Sequence, residues 1–107
     1  MSVVRLSTFR FAPSDAGEGE RLIRQIMSLC EGQPGYLGGF LLRDEHHENH
    51  IARVGIWEDR HAADHVAQLS ALQAARSRIN ALSGDVEHTE DTYNVIDGGE
   101  VVRKASS

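Results

Sequence analysis

QPGYLGGFLLRDEHHENHIARVGIWEDR, residues 33–60, is the stretch whose reading decides the fold. Gln33-Pro34-Gly35 is a stop, because Pro cannot continue a helix and Gly supplies the conformations that close one. Tyr36 to Asp44 reads as a strand in which Gly38 and Gly39 permit a bulge or a close backbone approach. Glu45 to Asn49 is a polar hairpin loop, and His50 to Trp57 is the strand that returns from it. Glu58-Asp59 then opens a helix, with acidic residues at its positive end. An antiparallel hairpin that leads straight into a helix is therefore the centre of the chain.

Upstream, Val3 to Phe11 alternates. Val3, Arg5, Ser7, Phe9 and Phe11 share one face, and Val4, Leu6, Thr8 and Arg10 the other, so both faces have mixed character. Such a strand is buried on both sides, or has polar groups lining a cavity. Ala12-Pro13-Ser14-Asp15 is a turn. A helix follows from about Gly17 to Glu31, with Leu22, Ile23, Ile26, Met27, Leu29 and Cys30 on the 3.6-residue period. Downstream, an Ala-rich helical stretch runs from His61 to Leu82, bent near Ser70 and ended by Ser83-Gly84. Val86 to Ile96 alternates as the last strand, and Asp97-Gly98-Gly99 closes the domain.

The order is β-α-β-β-α-β, an α+β, ferredoxin-like split βαβ: an antiparallel sheet with helices on one face. Residues 1–99 make a single domain, and 100–107 a loose tail in which Val101-Val102 offers a short edge strand. Two helices cover only one face of such a sheet. The other face carries apolar residues, on one phasing Val4, Leu6, Leu41 and Ile51. A second copy is the economical cover, so a homodimer through the open sheet face is expected.

At 107 residues the chain fits one domain with a thin core. A composition of 40% apolar and 25% charged residues excludes wholesale disorder. The formal net charge of -5, with arginines scattered, argues against a nucleic-acid partner. No apolar run approaches the roughly 20 residues of a membrane span, and the alternating N-terminus is unlike a signal peptide. A cytoplasmic location with no membrane partner is expected. Cys30, the single cysteine, excludes a disulfide framework and reads as a buried small hydrophobe.

Two motifs then point to a family. Gln33-Pro34-Gly35-Tyr36-Leu37-Gly38-Gly39-Phe40 resembles the pro-gly-aromatic-leu lead-in to the second strand of antibiotic-biosynthesis-monooxygenase-like proteins. Ile56-Trp57-Glu58-Asp59-Arg60-x-Ala62 resembles the element that ends their third strand, and the likeness covers roughly residues 3–97. It implies a dimeric α+β barrel with a ligand cavity between sheet and helices in each subunit. It also implies, for the oxygenases of that group, cofactor-free oxidation of a phenolic substrate to a quinone. Trp57 matches the tryptophan those enzymes place near substrate, and Arg76 corresponds to an arginine they use. Their asparagine, histidine and tyrosine fall on Arg53, Leu42 and Ala63. The haem-degrading branch fits less well: its asparagine, tryptophan and axial histidine fall on Ser7, Val66 and Arg76, and neither Val66 nor Arg76 ligates iron as an imidazole does.

The candidate ligand-binding residues are Trp57, Ser7, Arg53 and Arg76, with no catalytic residue assigned. Arg53 and Trp57 are four apart on one strand and share a face. Ser7 joins them if the first and third strands are neighbours in phase. Arg53, with five donors, needs an anion or carbonyls, and a cross-strand pair with Glu87, Glu90 or Asp91 is its plain structural role. For Ser7 that role is a bond to nearby backbone or water, and for Trp57 it is core packing. Tyr93 and Asn94 point to opposite faces, with Tyr93 expected at the dimer interface.

The histidines form pairs and a loop group. His61 and His65 have i, i+4 spacing on a helix; His46, His47 and His50 lie in or beside the hairpin loop with Glu45 and Glu48. Three or four convergent ligands are not evident, so neither a metal nor any other cofactor is expected. No nucleophile elbow or phosphate loop is present. The expected function is a small homodimeric, cofactor-independent monooxygenase acting on an aromatic, phenolic or quinone-like small molecule. The alternative is a non-catalytic ligand-binding or stress-response dimer on the same scaffold. An enclosed pocket holding Trp57 and polar groups would favour the enzyme; a space filled by Met27, Phe9 and Leu72 would favour the alternative.

Overall fold

The computed structural model describes residues 1–82 and 86–98. The expected helix stop at Ser83-Gly84, Gly99 and the tail from 100 onward lie outside the described residues. The strands are β1 (Val3–Arg10), β2 (Tyr36–Arg43), β3 (His50–Trp57) and β4 (Glu87–Asn94), and the longer helices are α1 (Ala16–Glu31), α2 (Arg60–Ala67) and α3 (Ser70–Asn80). A short 3-10 turn, Pro13–Asp15, leads into α1. The sheet is antiparallel throughout, in the order β2-β3-β1-β4.

The expected α+β element order is present, with one correction. The Ala-rich stretch is two helices, α2 and α3, separated at Gln68 and Leu69. Each has its own buried stripe: Ala63 and Val66 on α2, and Leu72, Ala75 and Ile79 on α3. Asp59 caps α2, its carboxylate accepting the Ala62 backbone N–H at 2.8 Å.

Register fixes what each face presents. Val3, Arg5, Ser7 and Phe9 pair with Trp57, Gly55, Arg53 and Ile51 on the face toward the helices. There they meet Leu22, Ile23, Ile26 and Cys30 of α1 together with the α2 and α3 stripes. The open face carries Val4 and Leu6 as expected, but Leu41 and Ile51 belong to the opposite one. Leu41 pairs with Arg53, and Ile51, 3% exposed, lies in the core. The apolar residues that replace them on the open face are Phe40, Leu42, Val54 and Ile56, with Tyr93 from β4. Phe40, Leu42 and Tyr93 are about half exposed.

The β2 irregularity lies between Tyr36 and Gly38, where Gly38 takes φ 140°, a region open chiefly to glycine. Next to it, a Cβ on Gly39 would lie 2.2 Å from the Val54 carbonyl oxygen, so that backbone approach requires glycine. The irregularity changes the β2 phase by one residue. This is why Leu41 and the open-face residues exchange sides relative to simple alternation from Tyr36.

Candidate functional site

Three of the four candidate residues meet on the helix-facing side of the two central strands. Ser7 and Arg53 are direct partners across β1 and β3, and Trp57 is one helix-facing position beyond Gly55 on the same strand. Gly55 leaves the backbone bare between them. A point at the Cβ position of Gly55 lies 3.0 Å from Trp57 Nε1 and 3.5 Å from Arg53 Nη1. Two N–H donors thus converge over one glycine. Tyr36 closes the far side, its ring edge-on to the indole with centroids 5.0 Å apart.

All three are buried: Trp57 and Ser7 are each 1% exposed and Arg53 is 5% exposed. The cross-strand acid pair expected for Arg53 does not form, and Ser7 makes no bond to nearby backbone. Arg53 makes no pair with Glu87, Glu90 or Asp91, because β1 intervenes between β3 and β4. Its Nη1 donates only to Cys30 Sγ, at 4.0 Å, and its Nε has no partner. Ser7 Oγ likewise has none. Burial works against the charged form of Arg53 and lowers its pKa, yet a guanidinium keeps its proton in water and protein alike. The same burial pushes the Cys30 thiol and the Tyr36 phenol up, so both are neutral here.

Arg76 lies at the rim and is already engaged. Its Nη2 donates to Glu90 Oε2 at 2.8 Å, and Glu90 stands opposite Ser7 on the β4 side. Sequence reasoning offered Glu90 as an acid for Arg53 but missed that it stands opposite Ser7 and pairs with Arg76, since the β1–β4 register was not available to it. It also missed Arg5, which the first-strand alternation had placed on the Ser7 face. Arg5 donates to Thr92 Oγ1 at 3.1 Å, to the Ala63 carbonyl at 3.1 Å and to Asp64 Oδ1 at 2.7 Å. These bonds tie α2 to β1 and β4, so Arg5 is fully used in holding the layers together. His88 stacks on Phe9 with centroids 4.5 Å apart, at the other end of the same face.

Trp57 is sealed in the same buried core cluster as Phe9 and Leu72, and Ser7 and Arg53 are buried as well. The surface cavities lie elsewhere. One of about 340 Å³ is lined by Pro34, Gly35, Glu58, His61 and His65, and one of about 300 Å³ by Phe9, Arg10, Leu42, Asp44 and His50. Of the residues that the sequence aligned with catalytic groups, Leu42 is exposed on the open face, and Ala63 contributes its carbonyl to Arg5. No helix among the described residues is long and apolar enough to cross a membrane.

Comparison with protein-family models finds no match, and comparison with curated proteins finds none either. Comparison with solved structures finds many. The N63A mutant of SnoaB, a cofactor-independent oxygenase from Streptomyces nogalater, superposes with a TM-score of 0.81 at 16% identity over 92% of this chain and 96% of that one. Rv0793 from Mycobacterium tuberculosis gives 0.79 at 14% identity over 94% and 100%. A structure described as an antibiotic biosynthesis monooxygenase gives 0.77 at 19% identity over 89% and 99%.

Proposed function

We propose, from a fold shared with the antibiotic-biosynthesis-monooxygenase-like proteins, that this chain is a homodimeric, cofactor-independent monooxygenase acting on a phenolic or quinone-like aromatic molecule. One observation carries the reading. Ser7 Oγ and Arg53 Nε are buried polar atoms with no partner in the protein, beside the chain's single tryptophan. A buried polar group without a hydrogen bond costs about 1–3 kcal/mol, and native proteins rarely keep two together without a use. A ligand oxygen within reach of both would satisfy them.

The chemistry follows from those groups. Solvent water takes the phenolic proton, to be returned at the peroxide stage; Arg53 holds the resulting phenolate oxygen, Ser7 donates a hydrogen bond, and the indole covers the ring face. The electron-rich phenolate passes an electron to dioxygen, and the two radicals combine. Loss of water then leaves a carbonyl, so that a CH₂ group and O₂ become C=O and H₂O. Because the trio is closed, the ligand must displace part of the α2–α3 layer, whose two helices are already separated at Gln68 and Leu69. The dimer forms through the open face, where Phe40, Leu42, Val54, Leu6, Val4 and Tyr93 make an apolar surface.

The closed space around Trp57, away from the cavities, and the positions of Leu42 and Ala63, which carry no acid–base group, favour a second reading: a dimer that binds such a ligand without turning it over. Oxygen uptake with a panel of anthrones and hydroquinones, without added metal or flavin, separates the two. Uptake lost in Arg53→Met supports the enzyme. Saturable binding without uptake supports the ligand-binding dimer.

A further inference from the structure

The β2–β3 loop brings together side chains that play no part in the trio. Asp44, His47 and His50 each present one donor atom, and these three atoms all lie within 4.8 Å of one another. The sequence shows the histidines as neighbours in a loop; the folded hairpin adds the carboxylate of Asp44 to them. We propose that Asp44, His47 and His50 form a binding site for a divalent transition-metal ion of the zinc class.

Two imidazoles and one carboxylate suit a borderline ion such as zinc, and three protein ligands leave a fourth position for water. Ligands around a tetrahedral zinc, each at about 2.0–2.2 Å, stand roughly 3.3–3.6 Å apart. The donors already lie within 4.8 Å of one another, and small rotations of the exposed Asp44 and His47 side chains and the half-buried His50 bring them to that spacing.

The loop backbone is already fixed by hydrogen bonds. Asp44 Oδ1 accepts the backbone N–H groups of His46 at 2.8 Å and His47 at 3.0 Å, which orients the carboxylate. The Asp44 N–H donates to the His50 carbonyl at 2.9 Å, and the His50 N–H to the His47 carbonyl at 3.1 Å. The two imidazoles lie nearly parallel, 13° between planes with centroids 4.5 Å apart. His47 Nδ1 lies 3.2 Å from Asp44 Oδ1, so imidazole and carboxylate already face each other.

The neighbouring charges are already balanced. Two arginines border the group, and both have acidic partners: Arg43 pairs with Glu20, and Arg10 lies 3.7 Å from Glu87.

Calorimetric titration of the full chain, free of any affinity tag, with zinc chloride in a non-coordinating buffer tests the site. The expected result is saturable uptake of one ion per chain. Altering mere outer-shell partners of a metal costs about 10–100-fold in affinity, so removing a ligand in His47→Ala or His50→Ala should cost more than tenfold. His65→Ala, in the other histidine pair, should leave uptake unchanged. The loop is at the surface, and circular dichroism of each variant verifies the fold. No saturable uptake, uptake that survives both loop substitutions, or uptake lost in His65→Ala would overturn the proposal.

Discussion

Ser7 and Arg53 stand directly opposite each other on β1 and β3, both turned to the helices, and each keeps a buried polar atom without a partner. Two strand positions away, Arg5 is as deeply placed yet spends its guanidinium on Thr92, Ala63 and Asp64. Two buried arginines on one face thus have opposite standing: one is consumed by the fold, and the other is held in reserve.

That contrast gives the first prediction. Arg53→Met removes a buried cation that lacks an ion-pair partner and fills similar volume, so it should leave stability unchanged or raise it by about 1–3 kcal/mol. Arg5→Met breaks a charged hydrogen bond to Asp64 and removes the donors to Thr92 and the Ala63 carbonyl, and should cost about 2–3 kcal/mol. Urea unfolding of the two variants measures both. A loss above 2 kcal/mol in Arg53→Met would mean that the residue serves the fold.

The open sheet face gives the second. Leu6 and Val54 are cross-strand partners at its centre, on the side away from every described helix. Val54→Glu should convert a dimer into a folded monomer, seen by sedimentation as a mass near 12 kDa in place of twice that value. A wild-type chain that sediments as a monomer at micromolar concentration would remove the dimer from the account.

His88 gives the third. Its burial holds the imidazole below its ordinary pKa; Glu90 opposes this, and the cations Arg76 and Arg53 add to it. The unfolded chain therefore binds this proton more readily than the folded one. The stabilisation is complete above the unfolded pKa of about 6.5 and declines as pH falls through the lower folded value. His88→Phe keeps a ring against Phe9 and removes the titration. Its urea midpoint should fall less between about pH 8 and about pH 5.5 than that of the wild type. An equal fall in both would show that other groups set the slope.

Much of the fold was legible because hydrophobic periodicity reports it directly. His50–Trp57 was bounded to the residue, since a polar loop precedes it and an acidic helix start follows. The faces of β1 were legible for the same reason. The side of the sheet to which Leu41 belongs was not. An irregularity between Tyr36 and Gly38 changes phase by one residue, and sequence shows only that glycine permits it. Arg53 and Trp57 could be placed on one face by counting. That Ser7 would meet Arg53 depended on register, and that Arg53 would find no acid depended on strand order, because β1 separates it from Glu90. The break between α2 and α3 was legible only as a bend near Ser70: no Gly or Pro marks it, and the two buried stripes become distinct only against the sheet.

The central claim is that an aromatic ligand binds at Trp57 through Arg53. Trp57 is the chain's single tryptophan, so its fluorescence reads that place and no other. Titration with anthrones and hydroquinones should quench the emission saturably. The apparent dissociation constant should rise about tenfold or more in Arg53→Met, as loss of a charged hydrogen bond worth about 1.5–3 kcal/mol requires. No saturable quenching by any member of the panel, or an affinity unchanged in Arg53→Met, would contradict the account.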